Sequence, residues 1–278
     1  QNDIILGLEA RKTAIIEQVS KLAATVKGEA LMPPELLDEV ANLVEKPYAI
    51  LGSFDPDYLR LPGEVLISVM KKHQRYFPLH TAGSTHASTL LPHFIVVRNG
   101  DDQGHDLVRQ GNEHVVRARF ADADFFVRED LKHTLEDLRP RLGTLVFQKK
   151  LGSMLDRSDR IGKLVNTLAP MLNLEADETI FARRAAHLCK ADLVSRMAVE
   201  MTSLQGVMGR DYALGSGEPK EVANALFEHY LPRYTGDQLP LGLPGLIVGI
   251  ADRVDTLVGL FAVGLAPSGN KDPFAQRR

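Results

Sequence analysis

His93-Phe94-Ile95-Val96-Val97-Arg98, closed by Asn99-Gly100, decides the reading of this chain. A run of β-branched and aromatic residues ended by a turn dipeptide is the signature of a strand. Upstream, Tyr48-Ala49-Ile50-Leu51 before Gly52 reads as a shorter strand and Arg75 to Leu79 as an extended segment. Leu61-Pro62-Gly63-Glu64 opens a helix through about His73, and the small polar stretch from Thr81 to Thr89 reads as a hairpin-type loop. Pro33-Pro34 starts a helix with Leu36, Leu37, Val40, Leu43 and Val44 on its buried side. Before it, Ile4, Ile5, Leu8, Ile15, Val19, Leu22 and Val26 recur with a helical period.

Downstream of residue 105 the strand patterns stop. Helical patterns follow at about 105–118, 121–139, 146–172, 177–196, 198–213, 219–230 and 244–264. Pro140, Gly143, Pro170, Gly215, Gly217, Pro232, Pro240 and Pro244 punctuate them. The predicted fold class is α+β and mostly helical, a small mixed α/β domain followed by an all-α domain. The expected division is a leading helix over 1–30, a mixed domain over 31–145 and a helical domain over 146–278. Gln1 and Arg277-Arg278 read as the ends of a piece of a longer chain.

Composition narrows the function. The 278 residues carry 33 basic and 36 acidic side chains, so a wholesale basic nucleic-acid binder is excluded while a local basic patch is not. With 44% hydrophobic and 25% charged residues the chain has the material for a sizeable core. Cys189 is the single cysteine, which excludes an intrachain disulfide and a thiolate metal cage. No apolar run approaches the length of a membrane span, so no membrane partner is expected.

Most catalytic motifs fail on inspection. Gly162-Lys163 is a near miss for a phosphate-cradling loop, but Arg157 stands where the first glycine belongs and Leu164 where the hydroxyl belongs. Gly215-Ser216-Gly217 is a turn. Cys189 in a helical pattern reads as a small core residue, and His80, His86 and His93 read as solvated loop histidines without zinc spacing. Tyr76 and Phe77 read as core rather than as a stacking platform, and at least one of Phe125 and Phe126 as core.

The helical half holds the more informative constellation. His187, Lys190, Asp192, His229 and Asp252 fall on successive helical segments. Ala251-Asp252-Arg253-Val254-Asp255-Thr256-Leu257 resembles the helix carrying the distant aspartate of the HD-superfamily metal phosphohydrolases. Glu228-His229-Tyr230-Leu231-Pro232 followed by Gly236-Asp237 resembles their histidine helix and the turn after it. The central His-Asp pair is replaced by Cys189-Lys190-Ala191-Asp192, which sets a positive charge where a cation should sit. The only literal His-Asp dipeptide, His105-Asp106, lies in the other half. The reading is a vestigial HD-like site without a metal, with Lys190 and Asp192 ion-paired or exposed.

A second resemblance covers nearly the whole chain from about residue 30. Its motifs are Leu43-Val44-Glu45-Lys46-Pro47, His73-Gln74-Arg75-Tyr76-Phe77-Pro78, Gly111-Asn112-Glu113-His114-Val115-Val116-Arg117-Ala118-Arg119 and Asp122-Ala123-Asp124-Phe125-Phe126. They continue in order with Lys190-Ala191-Asp192-Leu193-Val194-Ser195, Leu204-Gln205-Gly206-Val207-Met208-Gly209-Arg210-Asp211-Tyr212-Ala213 and the tail Gly269 to Arg278. Together they resemble the β-subunit family of bacterial tetrameric glycyl-tRNA synthetases. Lys46 departs from the family's usual tryptophan, and Cys189 and Ala191 fall at a variable place.

The resemblance implies a cytoplasmic, noncatalytic tRNA-binding and assembly segment with an HD-like helical domain. ATP and Mg would be used by the α subunit, with no cofactor in this segment. The implied partners are that α subunit, glycine tRNA and, through a β–β contact, a second copy. A tRNA platform needs Lys and Arg on phosphates. The candidates are Lys71, Lys72 and Arg75; Arg117 and Arg119; Lys149, Lys150, Arg157 and Arg160; and Arg277 and Arg278. Lys150, Arg157 and Arg160 are expected to share one face of a helix over 146–172, with Asp156 and Asp159 as alternative salt-bridge partners. Two other readings are a metal phosphohydrolase of nucleotide or RNA phosphate, and a purely structural protein–protein module.

Overall fold

A computed structural model describes residues 4–84, 89–269, 272–274 and 276–277, with the backbone alone at His73. His86 and Arg278, and part of the tail motif, lie outside the described residues. The chain forms two compact units, 1–126 and 127–278. The expected boundary at 145 lies further on, so 127–145 packs with the helices. The reason is local: Leu135, Leu138 and Leu142 are buried, and the Asp130 carboxylate accepts the backbone N–H groups of Arg196 and Met197 at 2.8 and 2.9 Å.

In the first unit, α1 (Leu8–Thr25) leads to β1 (Gly28–Ala30), α2 (Pro34–Leu43) and β2 (Pro47–Ser53). The short α3 (Gly63–Ser68) runs on as a π-helical turn to His73, then β3 (Phe77–Thr81) and β4 (Leu90–Asn99) complete a four-stranded sheet ordered β1-β3-β4-β2. All its pairings are antiparallel, and the strand read at 93–98 is the central β4. Helix α4 (His105–Asp130) is one continuous element where the sequence suggested two.

The core follows from strand alternation. Ile15, Val19 and Ala23 of α1 with Leu36, Val40 and Ala41 of α2 pack on Ala49, Phe77, Leu79 and Ile95. Leu43, expected on that face, is 58% exposed. Elsewhere Phe94 stacks on Tyr76 at 4.8 Å, and Phe54 meets Phe120 of α4 edge-on at 4.9 Å. Tyr76 and Phe77 are therefore core, as read, and burial pushes the Tyr76 phenol up to about 12. Phe125 is 46% exposed and Phe126 half-buried, against expectation, because Val116, Phe120 and Ala123 take the buried face of α4. His80 is buried in β3 and His93 half-buried in β4, so neither is a solvated loop residue.

Gly52 stands directly opposite Phe94 in the ladder, and a Cβ there would lie 2.5 Å from the Phe94 ring. The ring cannot swing away because Tyr76 stacks on it. Gly52→Ala is expected to destabilise the first unit by about 1–3 kcal/mol, read as a lower urea midpoint. A midpoint equal to the parent's would show that the ring yields.

The second unit continues with α5 (Leu135–Leu138), a hairpin of β5 (Val146–Gln148) and β6 (Gly152–Ser153), then α6 (Met154–Met171) and α7 (Ala176–Leu188). α8 (Arg196–Glu200), α9 (Val207–Gly215), α10 (Lys220–Glu228) and α11 (Leu243–Ala262) complete it. The hairpin corrects the all-α expectation and the helix expected from residue 146. Gly152 at φ +85° turns the chain, and Ser153 then starts α6 with a capping box to Asp156. Among the described residues no helix is long and apolar enough to cross a membrane.

Candidate functional site

The helices of the second unit converge on a buried ionic cluster. α7 ends at Leu188, and the chain turns through Cys189 into Lys190, whose φ of +70° is left-handed. That turn sends the Lys190 side chain inward, where it is 4% exposed. Asp252 reaches the same point from α11. Its Oδ2 accepts from Lys190 Nζ at 2.9 Å, and its Oδ1 accepts from Arg157 of α6 at 2.6 Å. Arg157 also donates to the Thr256 hydroxyl at 2.7 Å. Burial alone would raise the Asp252 carboxyl, but Lys190 and Arg157 outweigh it and hold the group well below the usual carboxylate range.

His229 caps the C-terminal end of α10 and is 1% exposed, and neither ring nitrogen has a hydrogen-bond partner among the described residues. Burial, with Lys190 nearby, lowers it to about 3, so the ring is neutral. Next to it, Tyr230 lies under Lys190 Nζ, 3.9 Å from the ring centroid, and burial raises its phenol. Two glycines of α11 make the close approach possible. A Cβ on Gly245 would meet Glu228 Cβ at 2.6 Å, and one on Gly249 would meet the His229 carbonyl at 3.1 Å. Arg253 ties the same junction, its guanidinium donating to the carbonyls of His229, Gly249, Tyr230, Leu231 and Pro232.

Of the five residues read as a vestigial site, Lys190, His229 and Asp252 come together. Asp192 is buried beside them on a separate bond, accepting from the Gly206 N–H, and burial raises its carboxyl against that bond. His187 points elsewhere: it is 40% exposed and its Nε2 lies 2.8 Å from Glu136 Oε1. The donor set does not fit a divalent cation, because two side-chain cations already occupy the Asp252 carboxylate and His187 is turned away. Among the described residues no other group of three His, Cys, Asp or Glu side chains is placed to hold a metal. Cys189 is buried, donates to the Ala186 carbonyl at 3.1 Å, and is pushed up to about 11 by burial, which suits packing rather than nucleophilic attack.

The cluster floors a cavity of about 480 Å³. Sequence reasoning missed three of its polar residues, Tyr230, Arg233 and Arg253. Their signal was present, because each stands within four residues of His229 or beside Asp252.

The described basic residues read as RNA contacts divide into ion-paired ones, exposed ones without an ion pair, and Lys71. Arg75 pairs with Glu39, Arg157 with Asp252 and Arg160 with Asp255 at 2.6 Å. The partners expected within α6 are engaged otherwise, Asp156 in its capping box and Asp159 with Arg139. Lys150 lies in the hairpin turn and so shares no helix face with Arg157 and Arg160. Lys72, Arg117, Arg119, Lys149, Lys150 and Arg277 are exposed and form no ion pair among the described residues. Arg117 and Arg119, two apart on α4, do not share a face. Lys71 is half-buried, and burial lowers its ammonium.

Residues 1–278 match the profile of the family described as Glycyl-tRNA synthetase beta subunit. The glycine–tRNA ligase beta subunit of Gloeothece citriformis is 49% identical over 269 residues, 96% of this chain and 38% of that protein. The beta subunit from Synechocystis is 47% identical over 275 residues, 99% of this chain and 38% of that protein. That of Clostridioides difficile is 48% identical over 278 residues, 100% of this chain and 40% of that protein. The chain thus spans about two fifths of the length of these relatives.

Proposed function

Since the chain belongs to the glycyl-tRNA synthetase beta subunit family, we propose that it is a noncatalytic tRNA-binding and assembly segment. It supports the attachment of glycine to its tRNA in the cytoplasm, with ATP and Mg used at an active site on an α subunit. The observation that carries this reading is the sequence match over all 278 residues. The site chemistry supports it: Asp252 is neutralised by Lys190 and Arg157, and the one thiol is a buried core group.

The charge pattern supports the RNA part. Lys149 and Lys150 stand exposed at the tip of the β5–β6 hairpin without a carboxylate partner among the described residues. Phosphate contacts of this kind make binding fall with salt.

The test mixes the full-length subunit with its α partner and measures charging of glycine tRNA. Charging is expected to depend on the subunit, and equal charging without it refutes the proposal. For the RNA contact, the double variant Lys149→Gln with Lys150→Gln is expected to make the slope of log K against log salt shallower by roughly 1–2. An unchanged slope removes these two lysines from the interface.

A further inference from the structure

The four cations around the cavity exceed what their partners neutralise. Arg157, Lys190, Arg233 and Arg253 line it, and their only carboxylate partners among the described residues are Asp252 and Asp237. Arg157 and Lys190 share Asp252, while Arg253 pairs with main-chain carbonyls alone. Donors remain. An ammonium carries three, of which Lys190 gives one to Asp252 and turns another toward the Tyr230 ring. Neither Nη1 of Arg233 nor Nε of Arg253 has an acceptor among the described residues.

A second observation is independent of charge. The Tyr230 hydroxyl is buried with no hydrogen-bond partner among the described residues, and Tyr230 lines the cavity beside Lys190. Buried polar atoms are nearly always bonded. The volume of about 480 Å³ lies in the range of small-molecule pockets and excludes a nucleic-acid duplex.

We propose that this cavity binds a small phosphate-bearing anion, held by guanidinium and ammonium groups without a metal. The guanidinium fork of Arg233 and the point charge of Lys190 are suited to phosphate oxygens. Met154, Leu193 and Leu257 supply apolar wall beside these charges, and Gln205, Thr256 and Gln276 add uncharged polar groups. The proposal does not depend on the RNA reading, and the phosphate has two possible sources, a free small molecule or the end of a single strand.

The experiment is calorimetric titration of this chain at low salt with inorganic pyrophosphate in one arm and a single-stranded RNA trinucleotide in the other. Saturable one-to-one binding is expected, with a Kd of about 1 mM or tighter. Pyrophosphate binding assigns the free anion, and binding of the trinucleotide alone assigns the strand end. Arg233→Gln, at a half-exposed position, is expected to weaken binding about tenfold. Lys190→Met, which keeps Arg157 on Asp252, is expected to do the same, and Lys21→Gln on α1 is expected to change nothing. No saturable heat in either arm, or binding that survives both cavity variants, overturns the proposal.

Discussion

Replacing Asp252 with alanine is expected to lower the stability of the helical unit by about 3–5 kcal/mol. The size follows from what the substitution leaves behind. Lys190 is 4% exposed and Arg157 is 13% exposed, and both give their strongest bonds to this one carboxylate. Removing it strands two cations in a poorly hydrated place, and an uncompensated buried charge costs more than the lost pair itself. Lys190→Met is the contrasting case. Arg157 still neutralises Asp252, and a flexible thioether fills the space over Tyr230, so less than half of that loss is expected. Urea unfolding at neutral pH followed by circular dichroism measures both. A loss below about 1 kcal/mol for Asp252→Ala would mean that the carboxylate is hydrated in solution and the cluster open to water.

The second large effect is on the acid side. His229 holds its proton only at about 3 in the folded chain, against about 6.5 when unfolded. Between these values the unfolded chain binds more protons. The stability contributed by the neutral ring is therefore complete above pH 6.5 and lost progressively as pH falls toward 3. The slope is about 1.4 kcal/mol per pH unit, about 4–5 kcal/mol over the window. Asp252, held low, adds to the loss only below its unfolded value of about 3.9. Unfolding free energies at half-unit steps from pH 7 to 4 test this. His229→Gln is expected to flatten the profile, and a slope that the substitution leaves intact assigns the acid sensitivity to another group.

The fold was legible where one period ran uninterrupted. β4 was visible because His93 to Arg98 is bounded by Asn99-Gly100, and α1 because its apolar residues repeat over several turns. The β5–β6 hairpin was not, since Val146 and Phe147 continue the apolar spacing of α6 and only Gly152 at φ +85° marks the turn. α4 read as two helices although nothing between Ala118 and Ala121 breaks it. At the site, His229 and Asp252 were identifiable from their local neighbours. Their surroundings were not, because Arg157 reaches Asp252 across 95 residues of sequence. Nothing local to α6 distinguishes a residue that enters such a pair from one that faces solvent. The same limit turned Arg157 and Arg160 into RNA candidates, when each is committed to a carboxylate of α11.

The left-handed turn at Lys190 has a consequence for the unit as a whole. An ammonium tethered to the backbone cannot be chelated, diluted away or exchanged for a competing ion. The charge balance at Asp252 is thereby supplied by side chains of the chain itself, Lys190 and Arg157, and is set as soon as these helices pack.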